Sequence, residues 1–197
     1  MVEKRRDMAA TWYEKELKNK NFLAPIGFKL VLDKAPKAAF LCQTANIPTI
    51  QVGEIDIPTR GLVQYPIDGN IKYGDFTVEF LVDENLENYL EIHNWMRALG
   101  TPNDLDERAR WIEDKKPANV LKTYAYKSLV SDITLTALNN NFQGAFECLF
   151  KDAFPTSLST LSFDVTQTDT NFFTAEVTFR YTLYEIRNVN RGKRRES

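Results

Sequence analysis

The sequence predicts a mainly β protein. The expected subunit is a two-sheet antiparallel β-sandwich, barrel-like, with one flanking α-helix, an N-terminal helical arm and a basic C-terminal tail. Three observations carry this. Phe76, Val78, Phe80 and Val82 alternate with Thr77, Glu79 and Leu81, the period of a strand with one buried face. At Asp83 the period becomes helical, and this is the chain's one strong amphipathic helix pattern. Near the C-terminus, Ala175, Val177, Phe179, Tyr181 and Leu183 alternate with Thr174, Glu176, Thr178, Arg180, Thr182 and Tyr184, the longest and cleanest such run. The expected organisation is an arm over residues 1–21, one domain over 22–186 and a tail over 187–197.

Taken in order, residues 8–20 read as a short helix with Trp12, Tyr13 and Leu17 on one side. Phe28, Leu30 and Leu32 alternate with Lys29, Val31 and Asp33. Ala35-Pro36 breaks that run, residues 39–45 form a second strand, and the two strands read as a hairpin. Residues 50–70 have weak alternation with prolines and glycines. They read as a long functional loop, returned to the central strand by a turn at Asp68-Gly69.

In the helix, Asp83 is placed to cap the first turn. Leu86, Tyr89, Leu90, Trp95, Met96 and Leu99 form the inner side, and Glu84, Glu87, Asn88, Glu91, Asn94 and Arg97 the outer. Gly100 and Pro102 stop it. Residues 103–117 form a charged surface insertion, helical around Leu105 to Glu113. Ile133, Leu135 and Ala137 mark a strand, Asn139-Asn140-Asn141 a turn, and residues 145–150 the partner strand. Asp152 to Pro155 reads as a connection, and Leu161, Phe163 and Val165 as a further alternating strand.

Composition excludes several classes. An apolar fraction of 43% is ample for a core, so the chain is not intrinsically disordered. Net charge is only −2, but it is unevenly spread: the last eleven residues carry +4 and the first twenty +2, leaving an acidic body. Cys42 and Cys148, with His93 as the single histidine, are too few for a disulfide framework or a zinc site. Capping explains the Asp83, Glu84 and Glu87 cluster. Asp104, Asp106 and Glu107 lack the spacing of a calcium loop. With no nucleophile motif, phosphate loop or metal cluster, the expectation is no enzyme and no cofactor. No apolar run is long enough to span a bilayer, and the N-terminus lacks the apolar core of a secretion signal. What remains is architecture, and open sheet edges suit self-assembly.

The segments FLCQTANIP (40–48), PIDGNIKYGDFTVEFLVDENLENYLEIHNW (66–95) and FPTSLSTLSFDVTQTDTNFFTAEVTFRYTLYEI (154–186) carry a family likeness. Their order is a strand ending in a small-residue-Pro step, an extended loop, an aromatic-Thr-Val strand, an acidic helix start and a closing strand pair. This set resembles the tail tube proteins of contractile-tailed bacteriophages, and the resemblance covers most of residues 22–186. It implies hexameric rings stacked into a hollow tube that conducts DNA inside a contractile sheath, in a virion assembled in the host cytoplasm. The arm, the tail and the 103–117 insertion extend beyond the usual core. They leave open a related tube-fold protein that initiates the tube at the baseplate or terminates it.

Three surfaces follow as expectations. Thr77, Glu79, Thr174, Glu176, Thr178, Arg180 and Thr182 would face a lumen through which genomic DNA passes without specific binding. Glu84, Glu87, Glu91, Asn94 and Arg97 would face outward to a sheath, baseplate or terminator partner. Ile55, Ile57, Leu62, Val63 and Tyr65, in the 50–70 segment, would stack one ring on the next. The competing readings are a hairpin folded back on its own domain and, for the whole chain, a nucleic-acid-binding module using the basic tail or an enzyme accessory domain.

Overall fold

The computed structural model describes residues 22–23, 27–55, 57–60, 62–64, 67–115, 125–164, 166 and 172–189, with backbone alone at 54, 58–59, 62–64, 67–68 and 125–126. The predicted N-terminal arm, the tail beyond Val189, Tyr65 and Val165 lie outside the described residues, as do the side chains of Leu62 and Val63.

Strand β9 (Gly144–Leu158) is the spine of the fold. β8 (Ser131–Leu138) runs antiparallel along one edge of its first two-thirds. Along the other edge run β11 (Leu183–Asn188) and then β10 (Thr174–Arg180). β1 (Phe28–Leu32) adds outside β8; β7 (Phe76–Leu81) and β2 (Cys42–Ala45) add outside β10. The main sheet thus has seven strands in the order β1-β8-β9-β10-β7-β2, with β11 on β9. It bends where β9 passes from β8 to β10, at Asp152, whose backbone turns left-handed (φ 53). The Asp132 carboxylate holds that bend by accepting the Asp152 N–H at 3.2 Å.

The bend lays one half-sheet over the other, and the predicted sandwich results. Leu30, Leu32, Ile133, Leu135, Cys148 and Phe150 from one half are buried with Phe76, Val78, Phe80, Ala175, Val177 and Phe179 from the other. Phe76 and Phe150 stack across the middle, centroids 4.3 Å apart. Helix α2 (Glu87–Gly100) closes the core. Trp95 is fully buried, 6.0 Å from the Phe179 ring, and donates its Nε1–H to the Leu129 carbonyl at 2.6 Å.

Several expectations need correction. The strand expected over 39–45 begins only at Cys42, because Pro36 opens a one-turn helix, α1 (Pro36–Phe40), where proline's fixed φ suits a first helical position. β1 and β2 then pair with β8 and β7 rather than with each other, so they form no hairpin. The helix begins at Glu87, not directly after Asp83, yet the Asp83 carboxylate still accepts the Glu87 and Asn88 N–H groups at 3.1 and 2.9 Å. Its inner side is shifted. Asn88, Ile92, Trp95 and Ala98 are buried, while Leu90 is exposed. Asn88, expected outside, accepts from the Asp83 N–H and donates to the Leu81 carbonyl at 2.6 Å, which satisfies its burial.

The 103–117 insertion is helical as expected in α3 (Asp106–Asp114), but it is no mere surface element. Trp111 stacks on Trp95, 6.3 Å apart and nearly parallel, and donates to the Ser128 carbonyl beside α4 (Ala125–Leu129). The 152–155 stretch is continuous strand within β9, not a connection. Residues 161–164 are not strand, and Phe163 is exposed. The closing run breaks at Tyr181–Thr182. After the break the facing changes, since Tyr181 and Tyr184 both pack on Phe150, at 5.0 and 5.7 Å.

Candidate assembly interface

Among its described residues the 50–70 segment is strand rather than irregular loop. β2 pairs with β7, and β3 (Ile50–Glu54) pairs with β6 (Ile67–Tyr73) in the same register. β4 (Ile57–Thr59) and β5 (Leu62–Gln64) extend the ladder outward. The whole is one hairpin whose inner half belongs to the sheet and whose outer half projects from it.

Asn46 stitches the joint between the halves. Its side chain accepts the Thr77 N–H at 2.7 Å and donates to the Asp75 carbonyl at 3.2 Å. The Gly74 N–H donates to the Thr49 carbonyl at 2.9 Å, and a Cβ at residue 74 would meet Thr49 Oγ1 at 2.7 Å, so a larger residue there would have to displace the Thr49 side chain. Farther out, Gly69 takes a positive φ of 81 where the register slips between Val52 and Glu54, a bulge rather than the expected turn.

Three tyrosines anchor the root. Tyr181 donates to the Gly74 carbonyl at 2.8 Å and Tyr184 to the Pro48 carbonyl at 3.2 Å. Tyr73 sits between them, 6.0 and 5.4 Å from their rings. Burial pushes the Tyr181 hydroxyl up to about 12, so it stays a donor at any ordinary pH. Beyond this root the ribbon has an apolar face left partly uncovered by the described residues: Ile50 stands opposite Tyr73, and Val52 opposite Ile71. Ile50, Val52, Ile55, Ile57 and Ile71 are 44–57% exposed. Of the expected stacking residues, Ile55 and Ile57 are thus placed on the projecting hairpin, and Leu62 and Val63 belong to its backbone ladder.

The predicted polar row is assembled on one face. Thr178 pairs with Thr77, Glu176 with Glu79 and Thr174 with Leu81, while the alternate residues Val177 and Phe179 enter the core. Arg180 Nε lies 2.6 Å from the Asp75 carboxylate, which leaves Glu79 and Glu176 opposite each other as the face's charge. Thr182 falls at the break after β10 and gives its N–H to the Lys151 carbonyl.

The expected outer face of the helix is exposed but partly engaged. Glu87 pairs with Lys37 Nζ, and Glu91 accepts the Lys37 N–H at 3.1 Å, which ties α1 to α2. Arg97 pairs with Glu107 of α3. Asn94 and Arg97 line a cleft of about 410 Å³ with Arg110 and Asp114. Glu84 is exposed. Trp111, Ile92 and the tyrosine anchor were not singled out from sequence. For the rings the available signal was aromatic content, which does not say which rings meet; for Ile92 it was the helical spacing of three residues to Trp95.

Burial pushes the Cys42 thiol up to about 11, so it is a poor nucleophile. Among the described residues no group of three His, Cys, Asp or Glu is placed to hold a metal ion. No helix among them is long and apolar enough to cross a membrane.

This fold is similar to that of chains solved in contractile injection systems. The chain superposes on the anti-feeding prophage tube-terminating cap with a TM-score of 0.53 at 15% identity, covering 88% of this chain and 96% of that one. A chain of the sheath-tube complex of an extracellular contractile injection system, PVC, gives 0.53 at 17% identity, covering 86% and 94%. A chain of the sheath/tube terminator of that system gives 0.52 at 16%, covering 86% and 99%. No curated protein matches in sequence. The family model described as phage tail tube protein matches residues 14–187, and the chain belongs to that family.

Proposed function

We propose that the chain is the repeating subunit of a phage tail tube: hexameric rings, stacked into a hollow tube that conducts DNA within a contractile sheath. The projecting hairpin carries this reading. A two-stranded ribbon is marginal alone in water, and uncovered apolar faces of this kind mark interfaces. A second copy is the natural cover in a protein of a tube-forming family. The polar face with Thr77, Glu79, Thr174, Glu176, Thr178 and Arg180 is the lumen surface. Its unpaired charge is the two carboxylates of Glu79 and Glu176, with Arg180 paired to Asp75, so it offers DNA few of the phosphate contacts that would retain it. The exposed side of α2 and α3 turns outward to the sheath or baseplate. The protein acts structurally, without catalysis, in the virion tail.

The fold likeness to chains of a cap and of a sheath/tube terminator equals that to a chain of a sheath-tube complex, which supports a tube-end subunit to the same degree. Electron microscopy of the purified protein separates the two. A tube repeat gives stacked rings and long tubes; a tube-end protein gives single rings. Monomers at high concentration, without rings, would reject both.

A further inference from the structure

At the end of β7 away from the projecting hairpin, the structure gathers a second apolar surface. On one flank Phe40 ends α1, and the Leu41 carbonyl accepts the Leu81 N–H at 3.0 Å. On the other flank the Phe173 carbonyl accepts the Val82 N–H at 2.8 Å, and the Phe163 and Phe173 rings pair at 4.8 Å. Phe40, Phe163, Phe172 and Phe173 are 37–86% exposed.

We propose that this aromatic surface receives the projecting hairpin of a second copy of the chain. The inference rests on the stacking reading above and adds the residues that accept the hairpin. Placement is the first reason. The β2–β7 ladder carries the hairpin at one end and the phenylalanines at the other. A copy displaced along the strand direction brings one against the other. A contact between two different surfaces of one chain is head-to-tail, and it propagates as a filament does. Cover is the second reason. The Ile50, Val52 and Ile71 face and the aromatic surface both stand exposed in the single chain, and burying each against the other removes two apolar patches at once. Charge is the third. Arg60 is exposed at the hairpin tip, Asp83 lines a cleft with Phe40, and Asp164 follows Phe163, while Glu87 in that cleft is already paired with Lys37. Backbone N–H groups, Asn88's foremost, hold the Asp83 carboxyl below its usual range, and the Thr166 hydroxyl does the same for Asp164, so both are anionic at neutral pH.

Engineered cysteines read the contact directly. The native thiols do not compete, since burial raises both. Under mild oxidation, Ile57→Cys combined with Phe172→Cys is expected to give a ladder of covalent multimers, and each single variant none beyond wild type. Dimers from Ile57→Cys alone, or no cross-links from a double variant that still assembles, would overturn the proposal. A second variant, Phe40→Ser with Phe172→Ser, changes exposed side chains and is expected to melt as wild type while weakening assembly about tenfold or more. Wild-type assembly by this variant, when replacing residues 52–62 by a tight turn abolishes assembly, would remove the aromatic acceptor and leave the stacking reading intact. Assembly by the shortened variant would remove the stacking reading itself.

Discussion

Asn88 stands on the helix face where a leucine would be expected, and it is 1% exposed. It holds position because β7 ends there: its amide accepts the Asp83 N–H and donates to the Leu81 carbonyl, two backbone groups that the sheet no longer pairs. Asn88→Ala leaves both without that partner, and the expected loss is about 1–3 kcal/mol in urea unfolding. Asp83 works on the same junction through its carboxylate. Its folded pKa is lowered, so its contribution is present above the unfolded value of about 3.9 and is lost as pH falls through the folded one. Asp83→Asn should therefore melt below wild type near neutral pH, with the gap closing under acid. An undiminished gap in acid would mean the residue acts by packing rather than by charge.

At the scale of elements, α2 and α3 are joined at their core side by a pair of indoles and at their surface by Arg97–Glu107 and by Arg108 donating to the Ala98 and Leu99 carbonyls. Trp95 fills the space between the sheet and Trp111, and both Nε1–H groups reach carbonyls of the α4 segment. Trp95→Ala opens a cavity that the sheet cannot close, at a cost of about 3–5 kcal/mol. The hairpin depends on a different device. Tyr181→Phe with Tyr184→Phe keeps the rings on Phe150 and removes only the hydroxyls that hold Gly74 and Pro48. Global stability should fall by about 0.5–1.5 kcal/mol per bond. Hydrogen exchange should accelerate mainly at residues 50–52 and 71–73 while β9 stays protected. Equal acceleration in β9 would show that the anchor serves the core instead.

Across the whole molecule, the face opposite the core sets two carboxylates against each other. Glu79 and Glu176 are direct cross-strand partners, an arrangement that costs stability in the isolated subunit. Glu176→Gln should raise the stability of the subunit by about 0.2–1 kcal/mol, and salt should shrink the difference. A stabilised subunit that assembled as before but retained DNA would tie the charge to passage through the lumen. No change in stability at low salt would mean that the side chains splay apart.

Strands β1, β7 and β10 were legible in the sequence because each has one face on the core and one on water, and alternation records that directly. The single main helix showed in the change to helical period at Asp83, and the sandwich and the family likeness followed from the strands and their order. Other features depend on partners far away in the chain. Asp152 to Pro155 looks like a turn, and only pairing with β10 makes it strand. Residues 50–70 look like a loop, because the bulge at Gly69 and the prolines interrupt the alternation that pairing with β3 restores. Asn88 reads as solvent-facing until the end of β7 supplies its hydrogen-bond partners. The sequence by itself determined which residues are apolar and at what local period, and so the fold class. Tertiary structure alone decided which strands meet, where the hairpin leaves the sheet and which apolar residues stay uncovered. Those outcomes depend on contacts between distant residues, and a local period carries no record of them.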